Sequence, residues 1–150
     1  MNPRHLLPLL AWLCVLPLKA ETHLLDDSRS YTEPPAAQME WLPQSPGDRD
    51  GGMETWVRVN IHIDTHDWIG RTGAIFMTLQ RDQASTVEAV WTANGPLRSG
   101  RLTSGERTLV WAGVIGGDAL TDLLQVRLRS GPDWQSASRR LNFQFELDTD

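Results

Sequence analysis

The feature that most restricts the fold is a strict alternation of apolar and polar residues after residue 55. Val57, Val59, Ile61 and Ile63 alternate with polar residues at 58, 60, 62 and 64. Successive side chains of a strand point to opposite faces, so a period of two predicts a strand with one buried face and one solvated face. The segment therefore belongs to a sheet that is covered on one side only.

Short strand-like segments recur along the rest of the chain. We predict further strands over 74–79, 87–92, 101–103, 108–115, 124–128 and 141–147, of which 108–115 is apolar enough to be central. Asn94-Gly95 predicts a tight hairpin turn, and only 118–124 offers a single helical turn. Six or seven short strands separated by turn residues predict an all-β fold, an antiparallel β-sandwich of the immunoglobulin-like kind.

The first twenty residues are typical of a secretory signal peptide. A charged start at Arg4 precedes the apolar segment 6–18, and Ala20 is a small residue before a polar chain. Thirteen apolar residues are too few for a helix that spans the roughly 30 Å core of a bilayer. The sequence therefore predicts a signal peptide over 1–20, a periplasmic or secreted location, and no membrane anchor after cleavage.

Removal of this segment changes the composition in a way that excludes several functions. Arg4 and Lys19 would be lost from 14 basic residues, leaving 12 against 19 acidic residues, a formal charge of -7. The remaining chain has no cysteine and no lysine, which excludes disulfides, thiol catalysis and Schiff-base chemistry. Its acidic balance argues against nucleic acid as a partner, because phosphate binding needs a basic surface.

Residues 21–52 differ in composition from the rest of the chain. They contain four prolines and three glycines with scattered acidic residues, and few apolar residues to offset the entropy of ordering. We therefore expect a flexible linker over 21–52, followed by a β-sandwich domain over 53–150.

One cluster of residues suggests metal binding as an alternative. On an extended chain, His62, Asp64 and His66 would share one face with Asn60, and two imidazoles with a carboxylate can hold zinc, copper or iron. A turn at 64–67 would scatter them. The leading expectation is therefore no metal and no cofactor.

Six tryptophans follow the predicted signal peptide, and their positions suggest two different roles. Trp91 and Trp111 fall on apolar strand faces and are expected to be buried with Phe143 and Phe145, whereas Trp134 lies in a polar loop. Aromatic and arginine side chains exposed together on a polar face are common at protein interfaces. The predicted binding residues are Trp56, Arg58, Asn60, His62, Asp64 and Trp68. The loop 98–107, which carries three arginines, is the second choice.

No residue pattern indicates catalysis, since the chain lacks a Gly-x-Ser-x-Gly elbow and any distinctive pair of carboxylates. We therefore expect a non-catalytic exported interaction module with a protein partner. It would assist the assembly of a surface structure or secretion system, or inhibit an exported protein. The alternatives are a carbohydrate-binding module that uses exposed tryptophans, and a small periplasmic metal-binding protein.

Overall fold

The structure, a computed structural model, describes residues 20–35, 40–41, 52–81, 86–131 and 143–149. These residues form ten strands and one short 3-10 turn, His66–Trp68. The strands are β1 (Glu21–Leu24), β2 (Tyr31–Glu33), β3 (Glu40–Trp41), β4 (Met53–Asp64), β5 (Thr72–Leu79), β6 (Val87–Ala93), β7 (Gly100–Thr103), β8 (Arg107–Val114), β9 (Ala119–Ser130) and β10 (Phe143–Thr149). No helix in these ranges is long and apolar enough to cross a membrane.

The strands form two antiparallel sheets, which confirms the predicted β-sandwich. A four-stranded sheet has the order β1-β10-β5-β8, and a six-stranded sheet has the order β2-β4-β9-β6-β7, with β3 also paired to β4. Without the short strands β2 and β3, the eight remaining strands have the connectivity of a jelly roll, built from two Greek keys. The sandwich is therefore as predicted, but its strand order differs from the seven-strand immunoglobulin arrangement that the sequence analysis expected.

The core lies between the two sheets and follows the predicted alternation of β4. Val57, Val59, Ile61 and Ile63 are all buried, while the residues between them face away from the other sheet. They pack with apolar side chains of both sheets, among them Trp91, Leu124, Val126, Met77, Phe145 and Leu147. The predicted burial of Trp91 and Phe145 is confirmed.

The prediction for β8 was wrong in two respects. This strand is an edge of the four-stranded sheet and not a central strand. A register shift between Ile75 and Phe76 changes the pairing, so that Ile75 lies opposite Trp111 and Phe76 opposite Leu109. The fully buried residue is Val110, and Trp111 is only partly buried against the core, as is Phe143. A bulge of this kind interrupts the period of two, so alternation alone cannot predict which side chain is buried.

The predicted flexible linker does not hold for residues 21–35. β1 pairs with β10, β2 pairs with β4, and Leu25 is a core residue with 5% exposure. These strands have only four and three residues, too few to show a period of two among prolines and acidic residues. The rest of the linker prediction, over 36–39 and 42–51, lies outside the described residues, as does the signal peptide apart from Ala20.

The Asn94-Gly95 prediction also needs correction. β6 and β7 are joined by a six-residue connection, 94–99, and not by a two-residue turn. A carboxylate holds this connection: Asp122 Oδ1 accepts the backbone N–H groups of Asn94 and Gly95, and Oδ2 accepts that of Leu97, at 3.2, 2.7 and 2.8 Å. Asp122 itself lies in β9, so residues 119–124 belong to a strand and do not form a helical turn.

Candidate recognition face

Five of the six predicted binding residues lie on one surface. Trp56, Arg58, Asn60, His62 and Asp64 alternate with the buried residues of β4 and face away from the four-stranded sheet. We call this side of the six-stranded sheet the recognition face. Every residue of β4 from Met53 to Asp64 has a partner on β9, so the row of side chains is held on a fully paired strand.

Neighbouring strands add side chains that sequence analysis had not singled out. Directly paired residues of an antiparallel sheet share a face. Tyr31 of β2 lies opposite Asn60, and Leu123 of β9 lies opposite Asn60 on the other side. Thr121 lies opposite His62. No local pattern could have identified these residues, because strand pairing between distant segments brings them to the face.

Two aromatic rings on this face are largely exposed. Trp56 is 60% exposed and Tyr31, the only tyrosine of the chain, is 57% exposed. The guanidinium of Arg127, opposite Trp56, lies 5.9 Å from the centre of the Trp56 ring, within reach of a cation–π interaction. Neither ring contributes to the core, so a bound partner could bury the exposed apolar surface of both rings.

The ion pairs of the recognition face are long. Arg58 lies 3.8 Å from Glu33, and the carboxylate of Glu54 is shared by Arg127 at 3.9 Å and Arg129 at 3.5 Å. The Arg58–Glu33 pair is exposed, with side chains 63% and 48% exposed, and a pair of this kind contributes about 0–1 kcal/mol to stability. The guanidinium of Arg58 can therefore change partners at little energetic cost.

Trp68 is the predicted binding residue that lies elsewhere. Asp64 Oδ1 accepts the backbone N–H of His66 at 2.9 Å, and the chain turns away from the strand direction into the 3-10 turn. Trp68 then packs against the core and against the ring of His23 in β1, with ring centres 4.4 Å apart. Arg71 lies 5.4 Å from the centre of the same ring. The assignment of Trp68 to the recognition face was wrong, since the turn at 64–67 ends the alternation.

The same turn separates the residues considered for a metal site. The Nδ1 atom of His66 lies 3.3 Å from Oδ1 of Asp118, which is on the loop before β9. His62, in contrast, lies on β4. Within the described ranges no group of three or more histidine, cysteine, aspartate and glutamate residues is placed to hold a metal ion. The set His62, Asp64 and His66 is therefore not brought together.

The three arginines of the loop 98–107 lie on different elements of the fold. Arg101 is exposed on β7, in the six-stranded sheet, whereas Arg107 begins β8 in the four-stranded sheet. The backbone N–H of Arg98 donates to Val110 O at 2.7 Å and attaches the loop to β8. These residues do not form a single basic surface. Trp134, the remaining tryptophan of interest, lies outside the described residues.

An open depression of about 470 Å³ lies at one end of the recognition face. Its lining includes Arg29, Tyr31, Asn60, His62, Thr121 and Leu123. The Ser30 hydroxyl accepts the N–H of His62 at 2.8 Å and donates to the His62 carbonyl at 3.2 Å, which fixes the loop before β2 against β4.

The loop that carries Arg29 is held by further hydrogen bonds. Asp64 N–H donates to the carbonyl of Asp26, and Ser30 N–H to the carbonyl of Asp27, both at 2.8 Å. The backbone N–H and hydroxyl of Ser28, with a smaller contribution from His62, hold the pKa of the Asp26 carboxyl below its ordinary value. Burial raises the pKa of Asp27. One wall of the depression is therefore preorganised.

Comparison with known proteins finds no matching family model, no matching curated protein and no matching solved structure. Function must therefore be argued from the geometry of the recognition face.

Proposed function

We propose that the protein is a non-catalytic binding module whose recognition face binds a partner protein. The observation that carries this proposal is the 60% exposure of Trp56 on a fully paired strand, within one row of Arg58, Asn60 and His62. Tryptophan and arginine are the residues that most often dominate binding energy at interfaces. Because the strand is already paired, its backbone loses little conformational entropy on binding.

The strand pairing supports recognition through side chains and not through strand addition at β4. One edge of β4 is occupied by β9 along its whole length. On the other edge, β2 pairs with residues 58–60, and β3 with 53–54. The backbone of His62 is taken by Ser30, and the N–H of Asp64 by Asp26. A partner at these positions would therefore contact side chains.

The biological setting follows from the predicted signal peptide and remains part of the proposal. An exported module of this kind would assist assembly of a surface structure or secretion system, or inhibit an exported protein. A carbohydrate-binding role through tryptophans retains Trp56, but Trp68 is partly buried against the core and does not lie on this face. The metal-binding alternative gains no support from the positions of His62 and His66.

A photo-cross-linking experiment tests the proposal. A photoreactive amino acid is placed at position 56 in one variant and, as a control, at position 24 in another, because Leu24 is 67% exposed on the four-stranded sheet. The adduct formed in cells at position 56 is identified by mass spectrometry, and its affinity is then measured with purified proteins. We expect an adduct at 56 and none at 24.

The affinity measurement decides the role of the ring. Trp56→Ala should weaken binding of the identified partner by about 2 kcal/mol, roughly thirtyfold, whereas Leu24→Ala should leave it unchanged. Equal cross-linking at both positions, or a Trp56→Ala variant that binds as tightly as the original protein, would contradict the proposal.

A further inference from the structure

We infer that the depression beside Tyr31 is a subsite for a neutral saccharide. This inference goes beyond the proposed protein interface, because it assigns a second ligand class to residues at the other end of the recognition face. Its volume of about 470 Å³ lies within the roughly 300–1,000 Å³ of typical small-ligand sites.

The aromatic component is the ring of Tyr31. β2 is paired with β4, so Tyr31 is held opposite Asn60, and its ring is 57% exposed. The face of an aromatic ring carries partial negative charge. One side of a pyranose presents C–H groups with partial positive charge, which makes an exposed ring at the side of a depression a suitable stacking surface.

The polar components match hydroxyl groups. Asn60, Thr121 and the Tyr31 hydroxyl can each donate and accept hydrogen bonds, and a neutral imidazole at His62 offers one donor and one acceptor. Arg29 adds donors. A sugar hydroxyl also donates and accepts, whereas a phosphate or carboxylate would need a lining dominated by donors.

The charges nearby favour a neutral ligand. The lining contains one formal cation, Arg29, and one carboxylate, Asp122, and the Arg29 loop also carries Asp26 and Asp27. This loop therefore has no excess of positive charge that would attract an anion. The single guanidinium and the single carboxylate of the lining cancel in formal charge, so neither an anion nor a cation is favoured over a neutral ligand.

The lining is held in place before any ligand arrives. Ser30 fixes the Arg29 loop to both backbone groups of His62, and Asp26 O accepts the N–H of Asp64. Asn60, His62, Thr121 and Leu123 lie on the paired strands β4 and β9. Preorganisation reduces the entropy lost on binding, which matters for a ligand with many weak contacts.

The test uses protein purified from cells that express the whole sequence. Neutral hexasaccharides of glucose, mannose, galactose and N-acetylglucosamine are titrated by isothermal calorimetry up to about 10 mM, the range of weak single-site binding. We expect at least one to bind. Tyr31→Ala should weaken that binding at least about tenfold, the scale of one aromatic contact, and Tyr31→Phe should stay within about threefold because it keeps the ring.

Leu24→Ala is the control, since Leu24 is 67% exposed on the four-stranded sheet and does not line the depression. It should leave saccharide affinity unchanged. If none of the four saccharides binds, or if binding survives Tyr31→Ala, the inference is overturned. Thermal unfolding of each variant confirms that the fold is retained.

Two further measurements separate the sources of the saccharide and the two proposals. Binding of the partner found by cross-linking is compared before and after enzymatic removal of its glycans. If removal of the glycans abolishes the part of partner binding that depends on Tyr31, the saccharide belongs to the partner. If partner binding does not change and only the hexasaccharides bind through Tyr31, the ligand is a free polysaccharide. If Trp56→Ala weakens partner binding but no saccharide binds, the protein interface stands and the saccharide inference fails.

Discussion

The two outer faces of the sandwich differ in how closely their polar and aromatic side chains contact one another. On the four-stranded sheet, Arg107 donates to Glu146 at 2.8 Å and to Asp148 at 2.6 Å, and its guanidinium covers the ring of Phe76 at 3.8 Å. On the recognition face, the ion pairs are 3.5 Å or longer and Trp56 is exposed. The charged groups of the four-stranded sheet form short bonds with one another, whereas those of the recognition face form long ion pairs and can bind a partner.

The short bonds of Arg107 on the four-stranded sheet shift the pKa values of the residues that form them. The hydrogen bond from Arg107, supported by one from Thr22 at 2.7 Å, holds the pKa of the Asp148 carboxyl below its ordinary value. The Asp148 carboxylate in turn raises the pKa of Arg107, with a smaller contribution from Glu146. Short contacts on one face thus stabilise the fold, while the longer contacts of the other are suited to exchange with a partner.

The largest expected effect concerns the core that both faces share. Phe145→Ala and Trp91→Ala should each lower the free energy of unfolding by about 3–5 kcal/mol, because both side chains are almost completely buried. Trp91 also donates its indole N–H to Arg98 O at 2.9 Å. Trp56→Ala should change stability by less than about 0.5 kcal/mol. Urea denaturation measures all three, and a large loss for Trp56→Ala would remove the distinction between core and recognition face.

The next effect concerns the carboxylate that anchors the connection 94–99. Asp122→Ala should lower the free energy of unfolding by about 1–2 kcal/mol, since the N–H groups of Gly95 and Leu97 lose their acceptor while that of Asn94 keeps Leu123 O. Amide hydrogen exchange should accelerate at Gly95 and Leu97 in this variant. Asp122→Asn retains one acceptor oxygen and should lie between the two proteins. Unchanged exchange at both amides would show that this anchor is not needed.

A smaller effect compares one arginine from each outer face. Arg107→Ala should lower the free energy of unfolding by about 1 kcal/mol, because it removes two short ion pairs and the contact with Phe76. Arg58→Ala should lower it by less than about 0.5 kcal/mol, since its pair with Glu33 is exposed and 3.8 Å long. Equal losses would contradict the assignment of different roles to the two faces.

The smallest effect is a dependence on pH that belongs to the four-stranded sheet. The folded pKa of Asp148 lies below its ordinary value of 3.8, so its stabilisation is present above that pH and is lost as pH falls through the folded pKa. The stability difference between the original protein and Asp148→Asn should therefore be full at pH 5 and shrink below pH 3.8. Chemical denaturation across this range measures it. A difference that grows in acid would have the wrong sign.

Sequence periodicity predicted most of the recognition face, and its failures have identifiable causes. The alternation along β4 was sufficient to place Trp56, Arg58, Asn60, His62 and Asp64 on one face. It could not place Trp68, because the hydrogen bond from His66 N–H to Asp64 ends the strand. Such a turn depends on the geometry of one side chain and leaves no periodic signal.

Other parts of the fold depend on contacts between distant segments. Tyr31 reaches the recognition face only because β2 pairs with β4, and a three-residue strand has no period to detect. Asp122 anchors the connection 94–99 from 25 or more residues away. Trp111 was misjudged because a bulge opposite β5 moves Val110 into the buried position. Each of these features needs knowledge of which strands pair.

The pairing of β1 with β10 has a consequence for the order in which the chain assembles. Glu21 lies opposite Thr149, so the four-stranded sheet joins the first and last described strands. Pairing over such a separation is entropically costly and slow compared with local hairpins. During synthesis from the amino terminus, β1 has no partner until β10 has left the ribosome. The four-stranded sheet is therefore completed only after β10 has been made, whatever the order in which the other strands pair.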